Sequence, residues 1–142
     1  MSSTYVSAAL RRLVIARARS SCEYCLIHDD DTFHGCQVDH VVSEKHGGPT
    51  EEGNLALACS ACNRRKGSDI GSIVPESGRF VRLFNPRTDA WDEHFTFDER
   101  VLSIVPLTEI GTVTVRVLGL NEPDRLLERR FLHAAGRYPP HR

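Results

Sequence analysis

The chain has 142 residues, 40% hydrophobic and 26% charged, with a formal net charge of −1 at pH 7. That length suits one domain with a modest core, and the balanced charge excludes a protein that coats nucleic acid by bulk attraction. The longest apolar runs, such as Leu13-Val14-Ile15-Ala16, are a few residues, so no segment reads as membrane-spanning.

The charge is nonetheless segregated. Arg11, Arg12, Arg17 and Arg19 crowd one segment and Arg64, Arg65 and Lys66 another, while Asp29, Asp30, Asp31, Asp39, Glu44, Glu51 and Glu52 lie between. Only Lys45 and Lys66 are lysines, and the arginines that supply the remaining positive charge suit bidentate phosphate contacts. The first residues, MSSTYVSAAL, lack the charged-then-apolar order of a secretory signal, so the expected location is cytoplasmic.

In chain order, residues 4–21 read as an N-terminal helical segment. Val6, Leu10, Leu13 and Val14 or Ile15 recur at three- and four-residue steps until Ser20-Ser21 break the pattern. Cys22-Glu23-Tyr24-Cys25 follows, then a polar loop from His28 to Asp31. Cys36 to Val42 and Asn54 to Ala58 read as short strands, separated by an irregular loop containing Gly47-Gly48-Pro49. A helix is expected from Ser60 to Gly67. Beyond it, residues 75–142 form a β-rich and then helical extension. Arg79 to Phe84, Glu93 to Phe97 and Val101 to Val105 are candidate strands. Thr108 to Leu118 fits either period, with helix favoured because Thr108 can cap it. Asn121 and Pro123 open a last helix running to Ala135. Trp91 and Phe95 are expected in the core, and His28, His34 and His46 on the surface.

Two C-x-x-C pairs, Cys22/Cys25 and Cys59/Cys62, read as the four ligands of a structural zinc ion in a reducing compartment. Cys36 is left over and reads as a small buried hydrophobe. A zinc ion saturated with thiolates has no open position for water, so any chemistry must come from other residues. Between the pairs lie Asp39-His40 at the end of a strand and Asn54 at the start of the next; Asn63 directly follows Cys62.

The composite CEYC, VDHVV, KHGGPTEEGNLALAC and CSACNRRKG resembles the HNH (His-Asn-His) endonuclease family, over residues 22–67. The resemblance implies an α+β protein with a ββα-metal core at residues 22–68, stapled by zinc and flanked by the N-terminal helix and the C-terminal extension. It also implies a metal-dependent DNA endonuclease. His40 would be the general base, since imidazole exchanges a proton near neutral pH. Asp39 and Asn63 would hold one divalent ion, Mg²⁺ or Mn²⁺, through the oxygen ligands such ions prefer. Asn63 stands where the family's name places a histidine. Asn54 would bond backbone groups across the loop and hold His40 in line.

Strand alternation would turn Asp39 and His40 to opposite sides, so a distorted backbone is expected there. Arg64, Arg65 and Lys66 are expected on a nucleic-acid-binding face, or else on a solvated one. DNA is the expected partner, with RNA left open, no membrane, and a monomer or homodimer. The rival reading is a zinc-stapled nucleic-acid-binding module without hydrolytic activity, which would have no need of Asp39, His40, Asn54 and Asn63.

Overall fold

The computed structural model describes residues 5–140. The first residue of the expected N-terminal helical segment lies outside that range. Helix α1 spans Ala8–Arg17, and the Ser7 hydroxyl caps it by accepting from the Leu10 amide at 3.1 Å. It buries Val14 against Leu55 and Leu57 and ends where Arg19 and Ser20 both take left-handed backbone angles.

Strands β1 (Cys36–His40) and β2 (Leu55–Cys59) form an antiparallel hairpin, running in register from Cys36 opposite Cys59 to His40 opposite Leu55. Every residue of β2 is buried, as its unbroken LALAC run requires. One face of β2 meets α1, and Ala58 and Cys59 meet the main core. Helix α2 (Ser60–Lys66) follows without a loop. The Cys59 sulfur accepts from the Cys62 amide at its start, and Gly67, at φ 51°, ends it.

The extension contains two further hairpins, β3 (Gly71–Ile73) with β4 (Phe80–Arg82) and β5 (Phe95–Asp98) with β6 (Ser103–Pro106). Two differences from the sequence reading stand out. Strand β3 was not anticipated, because three residues carry too little alternation to register. Residues 93–94 are not extended but close a helical turn, α3 (Trp91–His94). That turn seats Trp91 in the core, where its indole N–H donates to the Tyr24 carbonyl at 2.8 Å.

The segment after Thr108 is helix α4 (Glu109–Val117), with the Thr108 hydroxyl accepting from the Gly111 amide. Its fully buried Thr114 donates to the Ile110 carbonyl and accepts from the Phe84 amide, which locks α4 onto the chain after β4. Helix α5 (Pro123–Ala134) has its proline where no amide is needed. The Asn121 side chain bonds both the amide and carbonyl of Ile104 at 2.8 Å, and buried Arg129 donates to the Leu102 carbonyl and to Asn121.

One buried cluster holds Cys22, Cys25, Cys59 and Cys62 together with Trp91, Phe95, Ile104, Val113, Leu118, Leu120 and Tyr138. The cysteine-bearing segment and the extension therefore share a core. Among the described residues no helix is long and apolar enough to cross a membrane.

Candidate active site and metal centre

The two C-x-x-C pairs converge. The sulfurs of Cys22, Cys25, Cys59 and Cys62 all lie within 4.8 Å of one another, with Cys25 and Cys59 at 3.6 Å, and all four residues are buried. Tetrahedral zinc with ~2.3 Å bonds to sulfur sets its ligands about 3.8 Å apart, so the cluster has a zinc-binding arrangement. Each pair is a tight turn: the Cys25 amide donates to the Cys22 sulfur, and the Cys62 amide to the Cys59 sulfur. Leu26 adopts φ 69° to turn the chain out of the first pair, and the Cys22 amide donates to the Ile27 carbonyl. Cys36 is half-buried outside this group, and burial pushes its thiol well above the usual range.

Strand β1 and helix α2 form the second element of the site. Alternation along β1 puts Gln37 and Asp39 on one face, and both bond α2. The Asn63 side-chain amide donates to Gln37 Oε1 at 2.8 Å, and the Lys66 ammonium donates to Asp39 Oδ2 at 3.1 Å and to the His40 carbonyl at 2.8 Å. Gln37, Asp39 and the His40 carbonyl of β1 are thus tied to Asn63 and Lys66 of α2 along a single seam, which the His40 ring does not enter. Burial pushes the Asp39 carboxyl above its ordinary value, against the opposing pull of Lys66.

The backbone here is not distorted. Pairing stays regular through His40, so the two neighbouring side chains diverge, the Asp39 carboxylate to α2 and the His40 ring to the loop. There His40 Nε2 shares a 2.8 Å hydrogen bond with the Thr50 hydroxyl.

The loop between the strands closes on Asn54, which is buried. Its Oδ1 accepts from the Val42 amide at 2.9 Å, and its Nδ2 donates to the carbonyls of Val42 and Pro49 at 2.8 and 2.9 Å. Gly48 passes under this clamp so closely that a Cβ would stand 1.7 Å from the Val42 oxygen. A glycine is required there by space alone.

The three expected cations of α2 separate. Arg64 is exposed, while Arg65 is half-engaged by Glu122 at 2.8 Å and lies against Gly119. Lys66 is 2% exposed, its charge committed to Asp39, and so it does not belong to an open nucleic-acid-binding face. The helix rotates 100° per residue, which carries its side chain from the solvent side to the β1 side.

Sequence reasoning missed several residues that complete the site. Gln37 and Thr50 gave no signal, being common polar residues in a strand and a loop. Glu23, inside the first C-x-x-C pair, accepts from the Leu57 amide and pairs with Arg87, tying the extension to β2. Arg125 of α5 points its guanidinium at the sulfurs of Cys59 and Cys62, and the Tyr138 hydroxyl donates to the Cys25 carbonyl at 2.6 Å.

Residues 22–69 match the family model described as HNH endonuclease, about a third of the chain. β1, β2 and α2 are the ββα unit within that span, and the family acts on nucleic acids. Neither the curated proteins nor the solved structures compared with the chain gave a match.

Proposed function

We propose that the protein is a metal-dependent endonuclease that hydrolyses DNA phosphodiester bonds, with His40 as the general base. The observation that carries this reading is the joining of β1 to α2: Asp39 is bonded by Lys66, Asn63 reaches Gln37, and Asn54 clamps the loop that follows His40, all inside the HNH-matched residues. His40 takes the proton of the attacking water, and its ring is steadied by Thr50. Asp39 and Asn63 supply the hard oxygen donors that suit Mg²⁺ or Mn²⁺. Such an ion, when bound, would stabilise the charge developing on the phosphate and on the leaving oxygen. Asn63 donates through Nδ2 to Gln37, which leaves its carbonyl oxygen as the ligand atom. Asp39 must then share its carboxylate between the ion and Lys66. Arg64 and Arg65 meet the phosphates of the bound strand, and the zinc centre holds the start of α2 in place.

One observation favours a second reading, a nucleic-acid-binding module without turnover: the Asp39 carboxylate is already partnered by a buried ammonium. Nicking of supercoiled plasmid by wild type and by His40→Ala, with Mg²⁺, Mn²⁺ or chelator, separates the two. Metal-dependent nicking that is lost in the zinc-loaded variant is the expected result. Absence of cleavage of plasmid, single-stranded DNA and RNA by zinc-loaded wild type would leave only the binding module.

A further inference from the structure

Arg125 breaks two local rules. It sits in the first turn of α5, where the helix dipole disfavours a cation. Its side chain is also buried, 8% exposed, with no carboxylate in hydrogen-bond contact: Glu128 Oε1 stands 3.9 Å from Nε, and Nε itself has no hydrogen-bond partner. A buried cation is tolerated only where an anion faces it.

What the guanidinium does meet is sulfur. Nη1 lies 3.8 Å from the Cys62 sulfur, and Nη2 lies 3.7 Å from Cys59 and 3.8 Å from Cys62. A neutral thiol is a weak acceptor and offers no charge. A thiolate offers both, and a metal ion keeps its sulfur ligands deprotonated. Four thiolates outweigh the charge of one divalent ion, so the loaded centre is anionic where Arg125 is cationic. Beyond the helix, the buried Tyr138 hydroxyl holds the Cys25 carbonyl of the other C-x-x-C turn. The C-terminal region thus grips both halves of the centre.

We propose that Arg125 is the counter-cation of the zinc–thiolate centre, a positioning residue that makes metal retention and the docking of α5 depend on each other. It draws electron density from the Cys59 and Cys62 sulfurs and so slows their attack by oxidants and their loss of metal. The docked helix in turn keeps its buried charge only while the centre is loaded. This inference rests on the cysteine cluster as a zinc site and is independent of nuclease activity.

The test compares zinc-loaded wild type with Arg125→Met, Arg125→Lys and Arg129→Met, the last removing a buried arginine of the same helix that bonds the Leu102 carbonyl and Asn121 and touches no sulfur. Zinc release to a metallochromic indicator under dilute hydrogen peroxide should be roughly 10-fold faster in R125M, intermediate in R125K and near wild type in R129M. In cobalt-substituted protein, the sulfur-to-cobalt charge-transfer bands should move to lower energy in R125M and stay in place in R129M. Limited proteolysis should cut R125M within residues 123–138. Wild-type release and unshifted bands in folded R125M would overturn the proposal, as would equal acceleration in R129M. If R125M is not recovered folded, R125K decides: its shorter, point-like ammonium does not reproduce the planar fork that spans both sulfurs, so unchanged release and bands would overturn the proposal there too.

Discussion

Lys66 and Arg64 stand two residues apart on one short helix and have opposite environments. Lys66 is buried against Asp39 and the His40 carbonyl; Arg64 faces solvent. Removing one member of a buried pair leaves the other charge unsolvated, so Lys66→Met should cost about 3 kcal/mol or more in urea denaturation. The double variant Asp39→Asn/Lys66→Met should recover much of that loss, since both charges are then gone. Arg64→Ala should change stability by less than about 0.5 kcal/mol. It should instead weaken binding of DNA to a His40→Ala protein and lower the salt dependence by about one phosphate contact. The four-cysteine centre was legible in the sequence because its ligands stand in two C-x-x-C turns within a dense motif. Which cation turns inward was not, because it depends on the rotation of α2 relative to β1.

At the scale of elements, the loop from Val41 to Asn54 is fixed by one side chain. Asn54→Asp replaces the Nδ2 donor by a carboxylate oxygen facing the Val42 and Pro49 carbonyls, and should cost about 2–3 kcal/mol by thermal denaturation and depress nicking. Gly48→Ala should be at least as damaging, because the new methyl meets backbone rather than a flexible side chain. The chain after β4 shows a pH-dependent contact. Arg82 makes a bidentate pair with Asp89 at 2.7 and 2.9 Å, and this pair holds the Asp89 carboxyl below the usual carboxylate range. A carboxyl depressed in the folded state contributes stability above its unfolded pKa and loses it as pH falls through the folded value. Asp89→Asn should therefore cost about 1 kcal/mol at neutral pH, and the two unfolding curves should converge only in strong acid. Helix α4 shows why its segment was ambiguous: alternating Thr and Val serve a strand as well as a helix until Thr108 caps one end and Thr114 is buried against Phe84.

For the molecule as a whole, the cysteine cluster lies in the same core as the extension, so metal and core should be lost together. A structural zinc site contributes free energy on the order of 10 kcal/mol, comparable with a domain's entire net stability. Strong chelation should therefore unfold the chain cooperatively. The single tryptophan is a built-in reporter: Trp91 bonds the Tyr24 carbonyl inside the first C-x-x-C turn, so its emission should shift to the red as zinc leaves. The contacts hardest to read in advance are of this long-range kind. Arg125 meets sulfurs 63 and 66 residues earlier, and Tyr138 reaches a carbonyl 113 residues away. In the sequence α5 shows only arginines on an amphipathic helix, which a solvated face would explain equally well.

That separation has a consequence during synthesis. A ribosome adding about 5–20 residues per second needs roughly 3–13 s to travel from Cys62 to Arg125. In that interval all four cysteines can emerge, meet metal and close their turns while no guanidinium yet covers them. The nascent centre is then at its most exposed to oxidants and competing metals, and the arrival of α5 ends that window.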